Sequence, residues 1–359
     1  MTTTLLFLLV ISLLVFVHEL GHFVAARRSG MKVEEFGFGF PPRLWGKKIG
    51  DTVYTINAIP FGGFVRIFGE DGGHTHAPGS FAAGKFWHKC VVLVAGVVMN
   101  IVLAVALLSL GNMLGLRVGI FDEASRAEAR DIQVQILEVS VDSPAQRAGL
   151  LPADAITGFV GPEGAVEVAS PEDVQKFAFS NAGKEVTIVV QRAGSSLALP
   201  IALRTPESGQ GPIGIALALT GEVSYPWYEA LWKGVQSTWY LTKATVQGYG
   251  AILVSLVTSG SLGAGVTGPV GIATMTGQAA QAGISYLIQL VAMISINLAV
   301  LNIMPFPALD GGRLVLVVLE RIRGRALANQ TEQLINAGGF ALLLLLMVAV
   351  TVRDVVTLF

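Results

Sequence analysis

Four long apolar runs punctuate this chain, each bounded by charge or by helix-breaking residues. Leu5–Val17 is too short to cross a bilayer by itself. Carried on through Ala26 it reaches 22 residues, about what a hydrocarbon core requires. Cys90–Leu116, Tyr286–Met304 and Leu334–Val352 are long enough as they stand. A fifth stretch, Trp227–Val257, is interrupted by Lys233, Gln236, Lys243 and Gln247 and carries Trp227, Trp232, Trp239 and Tyr240, the aromatics of a membrane–water interface. It is expected to lie on the outer leaflet as an amphipathic helix rather than to span.

Elsewhere the period shortens. Gln133–Val139 alternates as a strand, Ser143–Leu150 starts a short helix, Asp154–Ile156 opens another strand, Pro171–Ser180 reads as helix and Glu185–Gln191 as strand. A soluble segment therefore lies between Gln133 and about Arg204. Thr52–Phe68, rich in Val, Tyr, Thr and Ile and interrupted by Pro60-Phe61-Gly62-Gly63, is expected to run strand, turn, strand. Gly260–Gly271 reads as a flexible or re-entrant connector.

Apolar residues make up 52% of the 359 and charged residues 14%, with a mean hydropathy of +0.63, which places the chain among multi-span α-helical membrane proteins. A net charge of −1, without any block of like charge, argues against nucleic acid as a partner. Nine Lys/Arg lie between Arg27 and Lys89 and four between Arg313 and Arg325, so the positive-inside rule puts both connections in the cytoplasm. Both termini and the 117–283 region then face the other side. No basic residue precedes the first apolar run and no small-residue cleavage site follows it, so a removable signal peptide is not expected. The single Cys90 excludes an intrachain disulfide and a cysteine zinc cage.

Chemistry enters where the first span nears its basic end. His18-Glu19-Leu20-Gly21-His22 puts two imidazoles at i and i+4 on one helix face, able to grip one Zn²⁺ while Glu19 polarises a bound water. At 1.5 Å per residue His18 lies about 12 Å inside Ala26, and ionisable residues inside a membrane usually mark function. The bland alternative is a pair of histidines packed in a helix bundle. His74 and His76, with no completing carboxylate or cysteine, read as a solvated loop, and His88 as an interface residue.

A third ligand is available in Asn302-Ile303-Met304-Pro305-Phe306-Pro307-Ala308-Leu309-Asp310-Gly311-Gly312. Two prolines end the third span, and irregular backbone at membrane depth is tolerated where it is buried or lines a wet cavity. Parity puts Asp310 on the same side as His18 and His22. A His₂Asp site with an open position is the catalytic form of zinc site. Alternatively Asp310 only caps the helix that begins near Gly311.

These residues together resemble the site-2 protease family, and with a single PDZ-like region they resemble its bacterial RseP-like branch. The likeness rests on H-E-x-x-H in the first span, on Phe36-Gly37-Phe38-Gly39, on Pro60–Val65, on Ala95-Gly96 followed by Asn100, on Gly268–Ala273 and on the late N-x-x-P-x-P-x-L-D-G. The order of elements over 133–204 resembles a PDZ domain, with Ala153-Asp154 where that pattern has Gly-Asp.

The resemblance implies one Zn²⁺ held by His18, His22 and Asp310, Glu19 as general base, and Asn302 contacting substrate or assisting the transition state. As a polar residue in a span, Asn302 can instead simply bond a neighbouring helix, and Asn100 shares that ambiguity. It further implies a bacterial cytoplasmic (inner) membrane location and a single-span transmembrane substrate, such as an anti-sigma factor, trimmed first by another protease. The expected fold is about four transmembrane helices with a cytoplasmic-side β-hairpin and an inserted extracytoplasmic α+β PDZ domain. Its parts are 1–116, with the zinc-binding helix and second span; 117–210, PDZ-like; 211–283, interfacial helix and connector; and 284–359, the last two spans. A strand in 52–68 can pair with an unwound substrate. Two functional classes follow: an intramembrane zinc endopeptidase, or a noncatalytic zinc carrier or PDZ-bearing receptor. Glu19 separates them, because a carrier needs ligands but no base.

Overall fold

Helix α1, Thr2–Arg28, is the first apolar run extended at both ends. It stops where Met31 N–H donates to Ala26 O at 2.9 Å and Gly30 N–H to Arg27 O at 3.1 Å, with Gly30 at φ 76°, a left-handed closure open to a residue without Cβ. Arg27 and Arg28 occupy the last turn, where cations meet the negative end of the helix dipole. A computed structural model of the chain describes residues 2–71, 77–120, 122–161, 164–205, 211–259, 267–325 and 328–358. His74, His76 and most of the Gly260–Gly271 connector lie outside the described residues.

Strands β1 (Val33–Ile49) and β2 (Thr52–Ile67) form a small sheet of their own. Each folds back on itself. Residues 35–38 lie between 53–56 on one side and 63–66 on the other, while 43–49 pair with 52–57. The expected hairpin within Thr52–Phe68 is thereby corrected, since the partner is the preceding segment and Pro60–Gly63 only bends a strand that runs on. Three glycines, two prolines and three basic residues between Gly37 and Lys48 broke the alternation by which β1 would have been read. Within 52–68, expected to hold a strand that can pair with substrate, the part around Thr55 lies between Gly37 and Gly46 and has no edge free for pairing.

The chain continues through α2 (Phe86–Leu114), β3 (Leu116–Gly119), α3 (Glu123–Glu128), β4 (Arg130–Val139), α4 (Pro144–Arg147), β5 (Ala155–Gly161) and β6 (Gly164–Glu167). Then come α5 (Pro171–Ser180), β7 (Glu185–Arg192), β8 (Ser195–Ala202), β9 (Ile215–Val223), α6 (Trp227–Ser259), α7 (Pro269–Ala282), α8 (Ile284–Ile303), α9 (Asp310–Arg323) and α10 (Asn329–Leu358). Among the described residues four helices are long and apolar enough to cross a membrane: α1, α2, α8 and, over Gln330–Val356, α10. The 33-residue α6, with its exposed tryptophans, is not among them.

Two compact units result, one from 1–108, 233–276 and 291–359, the other from 109–232 and 277–290. In the first, Ala25, Ala26, Met31, Val33, Ile67, Phe81, Val92 and Leu93 bury together, with Leu314 and Val317 of α9 packed on them. A second cluster joins Ala104 and Leu108 of α2 to Ala292, Ile296 and Val300 of α8. These clusters fix α1, α2, α8 and α9 about the motif residues. At the far end of α10, the buried Asp354 carboxylate accepts from the N–H groups of Gly268 and Gly271 at 3.2 and 2.8 Å, tying down the start of α7.

The second unit is one sheet in the order β3-β9-β4-β5-β7-β8, with β6 on β5. Phe159, Ile136, Ile156, Ile188 and Val190 form its core, closed by Val174 and Ala178 of α5. Ser170 and Asp173 make a reciprocal cap on α5, and the N–H groups of Ala169 and Ser170 together with the Ser170 hydroxyl hold the Asp173 carboxyl below its usual range. β9 lies beyond residue 210, in the stretch expected to be helix and connector. Its residues Ile215–Glu222 pair with β4, a non-local partnership with no local signature. Ala153, where glycine was the resembled pattern, sits at φ 74°, and a left-handed conformation costs a residue with Cβ about 1–2 kcal/mol. Next to it the buried Asp154 takes two 2.6 Å bonds from Arg192. Ala153→Gly is therefore expected to stabilise this unit by about 0.5–1 kcal/mol, read as a raised denaturation midpoint; an unchanged or lowered midpoint would show that the turn is not strained.

Candidate metal centre

The turn of α1 bearing His18 and His22 packs on α2 through glycines. A Cβ on Gly21 would meet Ala95 O and come within 2.8 Å of Met99 Cγ. A Cβ on Gly96 would meet His22 Nε2 and lie 2.7 Å from His18 Cε1. The imidazoles thus rest on bare α2 backbone. His22 Nδ1 lies 2.8 Å from Val92 O, and a carbonyl only accepts, so Nδ1 carries the hydrogen and the Nε2 lone pair is free.

The connection from α8 to α9 delivers the carboxylate. Pro305 and Pro307 keep 304–309 out of helix, and the chain turns so sharply that a Cβ on Gly311 would strike Ile303 O and Met304 O, and one on Gly312 would strike Phe306 O. Asp310 opens α9, but the preceding Leu309 is the cap and no side chain bonds the helix end. Asp310 Oδ2 instead lies 3.0 Å from His18 Nε2 and 3.2 Å from His22 Nε2. Helix capping is therefore not the work of this carboxylate. Arg313, one turn on, bonds the Glu70 carboxylate and, at 2.7 Å, the Glu70 carbonyl, anchoring the first turn of α9 to the chain that follows β2.

His18 Nε2 and His22 Nε2 are 3.2 Å apart, which closes a nearly equilateral triangle. Two ligand atoms of a tetrahedral zinc at its usual bond lengths stand about 3.3 Å apart, so the three atoms fit one face of such a site. The donor set, two buried imidazoles and a half-buried carboxylate, is that of a catalytic zinc with a position to spare. Glu19, the next residue after His18 on α1, is half-buried and outside this triangle. Asn302, at the end of α8, places Nδ2 3.5 Å from His18 Nε2.

The structure thus brings together all five residues singled out from the sequence. Three supports were not foreseen. Val92 acts through its backbone, which no sequence pattern reports. Gly96 was noticed only as part of a motif. Asn100 Nδ2 lies 3.3 Å from His18 Nδ1, although its polarity in an apolar span was the available signal. β2 also passes close by, since Gly62 N–H donates to Ser12 Oγ at 3.2 Å, and a Cβ on Gly63 would be 3.4 Å from Phe16 Cα.

Comparison with known proteins shows what the whole chain is similar to. The family model Peptidase family M50 matches residues 6–346. A Clostridium perfringens protein is 33% identical with 97% of each chain aligned, and an Agrobacterium fabrum protein 32% identical with 98% of this chain and 95% of that one aligned. The zinc metalloprotease RasP of Oceanobacillus iheyensis is 30% identical over the whole of both chains.

Proposed function

Since this chain belongs to peptidase family M50, the site-2 protease family, and is a membrane zinc metalloprotease, we propose that it cuts the transmembrane segment of single-span proteins. The observation that carries this reading is the triangle of His18, His22 and Asp310 beside the C-terminal half of an apolar helix long enough to cross a membrane. These three side chains would hold the zinc. When bound, it supplies a Lewis acid for the scissile carbonyl and lowers the pKa of water. Glu19 takes the proton of the attacking water and hands it to the leaving amine. Asn302, whose Nδ2 lies 3.5 Å from His18 Nε2, donates to the substrate carbonyl.

A helical substrate hides its peptide bonds in i→i−4 hydrogen bonds and must be locally unwound. Among the described residues 63–66 pair with 35–38 alone, and the edge away from 35–38 is the proposed place for the freed backbone. This row leads directly from Gly62 and Gly63, which lie against α1 within two turns of His18, and strand addition satisfies amides that lipid cannot. A photo-reactive residue at Val65 should capture substrate positions near the cut with a period of two. Capture with a period near 3.6 would mean that the substrate is held as a helix.

The basic connections of 27–89 and 313–325 support a zinc site towards the cytoplasm, with both termini and the second unit outside and α6 along the outer leaflet. The second unit reads as PDZ-like. Its groove of about 380 Å³, between α5 and β9 and lined by Val174, Phe179, Ile213 and Leu217, suits an extended segment of a substrate already trimmed outside. In this reading cleavage frees a cytoplasmic regulator such as an anti-sigma factor's bound partner. Phe179 is exposed at the groove, so Phe179→Glu should weaken capture of extended peptides by the intact protein about tenfold; undiminished capture would remove the receptor role and leave that of a size filter.

A further inference from the structure

We propose that Asn100 is a positioning residue whose amide oxygen accepts the His18 Nδ1 hydrogen and so fixes the tautomer that turns the His18 Nε2 lone pair to the metal. This rests on the reading of His18 as a zinc ligand. Four observations carry it. Asn100 is fully buried in α2, where an uncompensated amide is costly. Its side chain lies 3.3 Å from His18 Nδ1. The companion ligand His22 is fixed in the corresponding way, from the same helix two turns earlier, by Val92 O at 2.8 Å. Gly96, midway between Val92 and Asn100, removes the side chain that would separate them from the rings.

The two ends of the amide have the same shape, and a half-turn about Cβ–Cγ exchanges them. With nitrogen towards His18, the oxygen is buried and without a hydrogen-bond partner among the described residues. With oxygen towards His18, the nitrogen takes that place. One end goes unpartnered in either case, so the hydrogen on His18 decides. Nitrogen facing Nδ1 needs its lone pair and forces the hydrogen onto Nε2, which then cannot ligate. Oxygen facing Nδ1 holds the hydrogen there and leaves Nε2 free. Groups that orient a ligating histidine in this way are typically worth about 10–100-fold in metal affinity.

The test measures zinc affinity of the intact, detergent-purified protein by chelator competition, independent of proteolysis. Asn100→Asp keeps an acceptor at the same reach, and Asn100→Leu keeps the bulk without it. Asn100→Leu should lose zinc affinity by about 10–100-fold, while Asn100→Asp stays within a few-fold of wild type and, with Co²⁺ in place of zinc, gives the wild-type visible spectrum. Asn100→Leu within twofold of wild type overturns the proposal. So does Asn100→Asp as weak as Asn100→Leu, because donation from the nitrogen would then be what matters. A wild-type protein that binds no zinc would instead overturn the metal-site reading itself.

Discussion

Glu19→Gln is expected to leave the zinc content of the purified protein at the wild-type level and to lower turnover by about 10²–10⁴-fold, the usual worth of a general base. The expectation follows from position. Glu19 is next in sequence to a ligand but is not one of the three atoms that form the triangle, so an isosteric amide removes the proton acceptor and little else. A carrier or receptor would be indifferent to the change. Glu19→Asp is a useful companion, since withdrawing the carboxylate by one methylene should cost about 10²-fold, as misplacements of order 1 Å do. Turnover assays paired with metal analysis on each variant check both statements.

Gly96→Val should empty the site. Even a methyl group there would lie 2.7 Å from His18 Cε1 and press on His22 Nε2, and neither ring can retreat far. His22 is tethered to Val92 O, and His18 faces Asp310. Both ligands would shift together. Loss of zinc affinity should exceed about 10²-fold, more than a supporting group is worth, with proteolysis falling alongside. Gly338→Ala is the control. It too lies in an apolar helix, but an added Cβ there meets nothing within 4 Å, so zinc and activity should be unchanged. Zinc retained by Gly96→Val would mean that α1 and α2 are not packed as described.

The contrast between these two glycines marks what could be read in advance. His18, Glu19 and His22 were legible because helix periodicity is local, and Asp310 because a proline-broken span followed by a carboxylate is unusual in an apolar sequence. The four long helices were legible for the same reason, their length and apolarity being properties of single segments. What stayed hidden is pairwise. β1 joins β2 through glycines, prolines and charges that mask alternation, and β9 finds β4 across some 80 residues. The role of Gly96 exists only once a histidine faces it, and Val92 contributes an oxygen that every residue has. Ala153 shows the reverse case, where an expected glycine was missing and the backbone kept its left-handed turn at φ 74°.

The most direct test of the whole account is to map the cut. A single-span protein with a short outer segment, reconstituted with the wild-type enzyme in lipid and analysed by mass spectrometry of both fragments, should be cleaved at a bond within its apolar span. Removing zinc with a chelator should stop the cut, and restoring zinc should return it. Cleavage confined to residues outside the span, or cleavage indifferent to zinc, would contradict the account.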